Sequence, residues 1–291
     1  MSYILIPAGV LLSITALLLI AIHLGFRAPR NRERGTPGDF GFDYRQVTIP
    51  TLGNRQLFGW LLPVASSNTT LIILHGWGGN AELMMPLAIP FRRAGLNVLL
   101  FDARNHGSSD GHSFSSMPKF AEDLGMVIDW LKREHGGIAE KVVLLGHSVG
   151  AGAVLLAASR RADIAAAISV SAFAHPEWMM RRYLKRLPKP LVAGILYYVQ
   201  WVIGHRFAQI APLETVCHVT CPVLLVHGTA DSTVPVEDSR AIIGNCDMPH
   251  LTLLEIEGAG HDSVDKVEQH ANELLQFLRA AGVCSTATPS P

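Results

Sequence analysis

Lys141-Val-Val-Leu-Leu-Gly146-His147-Ser148-Val149-Gly150-Ala-Gly-Ala-Val-Leu-Leu-Ala157 reads as an apolar strand that breaks at glycine, presents one serine and restarts as a helix. This is the pattern of a nucleophile elbow. A serine hydroxyl pushed out on so tight a turn leaves no room for side chains two residues to either side, and Gly146 and Gly150 supply none. The restarting helix aims its free N–H groups and the positive end of its dipole at the point where negative charge develops in acyl transfer. A strand-turn-helix with Gly146, Gly150 and Gly152 is also the shape that holds a dinucleotide phosphate. Against that reading, two βα units precede the motif, a serine stands at its apex, and no Tyr-x-x-x-Lys pair follows.

Working outward, six short apolar runs, 70–74, 97–101, 141–145, 165–170, 223–226 and 251–256, fit parallel strands covered on both faces. Helical patterns at 81–94, 118–134, 149–160, 236–246 and 263–281 separate them, as a doubly wound sheet requires. Residues 44–49 and 56–64, joined by a Thr-Leu-Gly-Asn turn, read as an antiparallel hairpin that starts the sheet. The one interruption, 171–216, has the length and position of a lid. The expected fold class is α/β, a mostly parallel sheet with a helical lid, preceded by one transmembrane helix. The expected divisions are an anchor at 1–26, a basic linker at 27–39, a catalytic domain at 40–282 and a disordered tail at 283–291.

Functional loops of an open parallel sheet gather at the carboxyl ends of its strands. After residue 74 comes His75-Gly-Trp77-Gly-Gly-Asn80, whose glycines let the backbone turn its N–H groups toward the serine; an ordinary Gly-rich turn is the plainer reading. We assign the N–H groups of Trp77 and Val149 to an oxyanion hole. After residue 226 comes His227-Gly-Thr-Ala-Asp231, and after residue 256 comes Glu257-Gly-Ala-Gly-His261-Asp262. Singly, an aspartate in a turn is usually a solvated cap and one histidine among 13 is usually incidental. At three successive strand ends, Ser148, Asp231 and His261 read as nucleophile, orienting acid and base. Asp102 and His106, in Asp102-Ala-Arg-Asn-His106-Gly, are expected to fix their loop, and Asp262 to start the last helix.

The chain has 291 residues, 49% of them hydrophobic, long enough for one large α/β domain. A formal net charge of zero and the lack of a basic cluster interleaved with aromatics set nucleic acid aside as a partner. The four cysteines, Cys217, Cys221, Cys246 and Cys284, have no paired CxxC spacing and are expected to be reduced structural thiols. Cys217-His218-Val-Thr-Cys221 has no second ligand pair nearby, so no metal site is assigned.

Residues 3–22 carry no charge, enough at about 1.5 Å per residue to cross a hydrocarbon core of roughly 30 Å. A cleaved signal peptide would want a basic start and a small-x-small cleavage site, and neither is present. Arg27, Arg30, Arg32 and Arg34 follow the span, so the positive-inside rule places the catalytic domain on the cytoplasmic side.

The blocks HGWGGN, FDARNHGSSDG, GHSVG, HGTADSTVP and EGAGHDSV resemble the α/β-hydrolase superfamily, in its monoacylglycerol lipase or serine aminopeptidase-like branch, across residues 42–281. That resemblance implies a serine hydrolase working through an acyl-enzyme on Ser148, without a cofactor. It implies less about the substrate, since esterases, lipases, thioesterases, amidases and acyltransferases share the framework, as would a degenerate binding module. The oxyanion block is not HGGG, which points away from the hormone-sensitive-lipase type. The lid joins a basic stretch, 178–186, to an apolar one, 191–203. Two short packed helices would explain it, as would an element that draws an acyl chain from the bilayer. With the anchor, this favours a lipophilic ester such as a monoacylglycerol or lysophospholipid.

Overall fold

The computed structural model describes residue 13, residues 16–17 and residues 19–284. Eight strands form one sheet in the order β1-β2-β4-β3-β5-β6-β7-β8. They are β1 (Arg45–Thr51), β2 (Arg55–Leu62), β3 (Thr69–Leu74), β4 (Asn97–Phe101), β5 (Lys141–His147), β6 (Ala166–Val170), β7 (Val223–Gly228) and β8 (Leu251–Ile256). All pairings are parallel except those of β2, which runs antiparallel to both β1 and β4. Pro50, which has no N–H to donate, is accommodated on β1 at the sheet edge.

Side chains alternate across each strand, so a strand covered on both faces must be apolar at every position. In β3, Ile72 and Leu74 join one core layer while Leu71 and Ile73 join the other. The first layer is roofed by α2 (Met117–Glu134) and α3 (Val149–Ala158), the second by α1 (Met85–Arg93) and α10 (Ala271–Ala280). Beyond Val149 every residue of α3 is buried, as expected of a helix apolar all round. The expected single helix at 263–281 is two, α9 (Val264–Gln269) and α10, broken at His270. Buried Val267, Leu274 and Leu278 keep one helical spacing across the break, so periodicity could not reveal it.

The lid region holds α4 (Pro176–Tyr183), α5 (Lys189–Ile203), α6 (Phe207–Ile210) and α7 (Pro212–Thr215). Val192, Ile195, Leu196 and Val199 of α5 are buried in the first core layer, whereas Tyr197 and Trp201 are 76% and 72% exposed. Arg182 of α4 donates to Asp238 Oδ2 at 2.9 Å, tying the lid to α8 (Glu237–Asn245).

Cys217 and Cys246 form a disulfide, with Cα atoms 5.7 Å apart, where reduced thiols were expected; only Cys221 and Cys284 are free. Their proximity comes from the packing of α7 beside α8, which chain spacing does not encode. The stretch 27–39, expected as a linker, is hydrogen-bonded to the domain: Asn31 Nδ2 donates to Gly78 O at 2.9 Å, and Glu82 accepts the N–H groups of Arg34 and Gly35.

At the C-terminus Val283 is buried against the second core layer, and residues 285–291 of the expected tail lie outside the described residues. Most of the expected transmembrane stretch, 3–22, lies outside them as well. Among the described residues no helix is long and apolar enough to cross a membrane.

Candidate active site

β5 ends at His147 and α3 begins at Val149, leaving Ser148 alone on the turn at φ 56°, ψ −116°. A non-glycine residue with positive φ is strained and persists only where its surroundings over-determine it. Here a Cβ on Gly146 would collide with the Gly150 carbonyl, and one on Gly150 with the carbonyl oxygens of Leu74 and His75. Gly76 is tight as well, though less so: its Cβ would sit 3.1 Å from that of Ser148. The serine N–H is held by Val170 O at 2.8 Å.

β7 and β8 bring the other two predicted residues to the same point. Ser148 Oγ lies 2.9 Å from His261 Nε2, and His261 Nδ1 lies 2.7 Å from Asp231 Oδ2. A carboxylate only accepts, so Nδ1 carries the proton and Nε2 is left as acceptor for the serine hydroxyl. Asp231 Oδ1 takes the N–H groups of Thr233 and Val234, at 2.9 and 2.8 Å. Burial would raise its carboxyl pKa, but hydrogen bonds from His227, His261 and the Val234 amide outweigh this and hold it well below the usual carboxylate range. Asp231 is therefore charged and fixed.

Two histidines that the sequence reading passed over support this chain. His147 Nε2 donates to the backbone oxygen of His261 at 2.8 Å, and the two rings lie 5.2 Å apart. Burial keeps His147 neutral by pushing its pKa down. Fully buried His227 donates from Nε2 to Val234 O and accepts the Ser239 hydroxyl at Nδ1, bracing the turn that carries Asp231. Their positions, inside the elbow motif and four residues before Asp231, were the available signal.

Trp77 and Val149 line the same cavity as Ser148 and His261. The Val149 N–H, first of α3, has no intrahelical partner by construction. The preceding loop closes on itself, with Gly79 N–H donating to Gly76 O at 3.1 Å and Gly78 at φ 72°. Asp102 and His106 stand behind this loop. Asp102 accepts from the N–H groups of Ala81 and Ser108, both at 2.8 Å, and the His106 ring packs edge-on to Trp77.

The ligand atoms of His147, His261 and Asp262 lie within 4.8 Å of one another, the spacing of a metal cluster. Both ring nitrogens of His261 and Nε2 of His147 are engaged as described, so this set holds an ion only by dismantling the hydrogen-bonded chain. The cavity above Ser148 has a volume of about 1010 Å³ and a mostly apolar lining that includes Met117, Phe173, Met179, Ile195 and Phe207.

The family pattern "Serine aminopeptidase, S33" matches residues 65–217, a span that includes Ser148 and the Trp77 loop but neither Asp231 nor His261. The uncharacterized protein YfhR of Salmonella typhimurium is 26% identical over 284 residues, covering 90% of this chain and 89% of that protein. Alpha/beta hydrolase domain-containing protein 17B of Xenopus laevis is 26% identical over 235 residues, covering 80% and 74%. Among solved structures, the Pyrococcus furiosus esterase Pf2001 superposes with a TM-score of 0.72 at 26% identity, covering 87% of this chain and 98% of the esterase.

Proposed function

The chain belongs to the serine aminopeptidase S33 family of α/β hydrolases, and from that premise we propose that it is a membrane-anchored serine hydrolase that cleaves carboxylic esters of lipophilic acyl groups. The observation that carries this reading is the unbroken hydrogen-bonded chain from Ser148 through His261 to Asp231 on the floor of a large apolar cavity. Likeness to an esterase of known structure supports the choice of ester over amide.

Ser148 Oγ attacks the ester carbonyl carbon while its proton passes to His261 Nε2, and Asp231 stabilises the imidazolium. The carbonyl oxygen, now negative, accepts hydrogen bonds from the N–H groups of Trp77 and Val149. When the tetrahedral intermediate collapses, the C–O bond to the leaving alcohol breaks and His261 returns the proton to that oxygen. Water then gives a proton to His261, attacks the acyl carbon and releases the carboxylic acid, restoring Ser148. Protons and electrons balance without any added group.

The uncharged stretch 3–22 supports the anchor, and the arginines after it support a cytoplasmic domain. The test is a fluorophosphonate probe on the full chain and on Ser148→Ala, with the adduct located by mass spectrometry. Labelling at Ser148 alone, with parallel loss of p-nitrophenyl ester turnover in the variant, is expected. Failure of the folded protein to label would make the fold a binding module, and turnover of anilides or thioesters in preference to esters would reassign the leaving group.

A further inference from the structure

The residues ahead of the sheet contribute to the site. Residues 19–25 are helical, and the chain then crosses the loops that follow β3 and β4. Ser115 N–H donates to Phe26 O at 3.0 Å, Pro29 packs on Gly78, and Asn80 Nδ2 donates to Asn31 O at 3.0 Å. Further on, the Ser108 hydroxyl donates to Glu33 Oε2 at 2.6 Å. At the start of this path, the Ile22 and Phe26 side chains pack on the first core layer and line the Ser148 cavity. They share a second, narrow crevice with Val199 and Ile203 of α5, so the incoming helix and the lid helix meet at one wall.

On the reading that Ser148 is the nucleophile, we propose that this wall grips the distal part of a long, unbranched acyl chain, Ile22 and Phe26 on one side and Val199 and Ile203 on the other. Among the described residues, Asp262 is the one carboxylate in the cavity lining and no lysine or arginine lines it; the ionisable groups His147, His261 and Asp262 gather beside the nucleophile. Apart from the hydroxyls of Ser116, Ser148, Tyr183 and Thr233, the rest is mostly apolar, with Met84, Met117, Met179 and Met180 offering the adaptable contacts that suit a flexible chain. The volume, about 1010 Å³, stands at the top of the roughly 300–1,000 Å³ usual for ligand sites. Ile22 ends the apolar stretch 3–22 and Phe26 immediately precedes the first charge, Arg27, so the wall lies where the anchor would leave lipid. The stretch ahead of the sheet is then a specificity element, and its removal would open the pocket.

The experiment compares kcat/KM for p-nitrophenyl palmitate and butyrate in the detergent-solubilised full chain, in Phe26→Ala and in Val199→Trp. Active sites are counted by fluorophosphonate titration, so misfolded protein drops out of both rates. Phe26→Ala removes contacts to the chain, and Val199→Trp fills the space it occupies. Each lowers the palmitate-to-butyrate ratio by about tenfold or more, the scale on which apolar pockets discriminate chain length. Wild-type ratios in both variants would overturn the proposal, as would equal turnover of the two esters by the wild type. Absence of Ser148 labelling in the wild type would instead overturn the hydrolase reading on which it rests.

Discussion

Ser148 illustrates how much a single residue depends on its neighbours. Its left-handed backbone is maintained because Gly146 and Gly150 leave space that no other residue could leave, with Gly76 packed closely beside it. Gly150→Ala would drive a methyl into the carbonyl oxygens of Leu74 and His75, an overpacking that costs about 1–3 kcal/mol. We expect a matching drop in unfolding midpoint together with loss of probe labelling; a stable, fully labelled variant would show that the elbow has slack. Asp231→Asn exchanges an acceptor at Oδ2 for a group that can donate to His261 Nδ1, favouring the wrong tautomer. Ester kcat should fall by roughly 10⁴ with KM little changed, as for orienting aspartates elsewhere, and a loss under tenfold would remove Asp231 from the mechanism. His147→Ala should cost less, about 10 to 100-fold in kcat, because it deletes one hydrogen bond of roughly 1–3 kcal/mol beneath His261 and touches no reacting atom.

The segment 27–39 is the element whose behaviour departs furthest from its composition. Its arginines and prolines read as a spacer, yet Glu33 is carried against Asp102 in the loop after β4. Burial first, then the hydrogen bond and charge of Glu33, push the Asp102 pKa up to about 8, against the lowering effect of the Ser108 and Ala81 amides. The native state thus keeps a proton that the unfolded chain releases in the ordinary carboxyl range. This contribution to stability is full below that range and is lost as pH rises through about 8. Amides of residues 27–36 should therefore exchange faster above that pH, after correction for intrinsic rates, and Glu33→Gln should flatten the dependence. Equal protection on both sides of the transition would show that the carboxyl pair does not hold the segment. The lid is a contrasting element, because its helices follow their periodicity: α5 buries Val192, Ile195, Leu196 and Val199 at helical spacing and leaves Tyr197 and Trp201 outside.

For the molecule as a whole, two features bear on the side on which a domain anchored as proposed would lie, and they point to opposite ones. The arginines after residue 26 favour the cytoplasmic side, while a disulfide between Cys217 and Cys246 persists best in an oxidising compartment. With the domain in the cytoplasm, alkylation in intact cells followed by denaturation should find the thiols of Cys217 and Cys246 free beside those of Cys221 and Cys284. Protection of Cys217 and Cys246 from alkylation until reductant is added would move the domain to the exported side. The strand runs at 97–101 and 251–256, the turn at Ser148 and the arrival of Asp231 and His261 at later strand ends were legible in the chain, because strand periodicity and turn chemistry are local. The hairpin before the first parallel strand was legible for the same reason. Other features came only from folding: the Cys217–Cys246 pairing, the support of His261 by His147, the break at His270, and the docking of 27–39 beside the loop that carries Trp77. Each joins groups whose proximity depends on helix packing and loop paths, and long-range contacts of that kind leave no period or spacing in a single sequence.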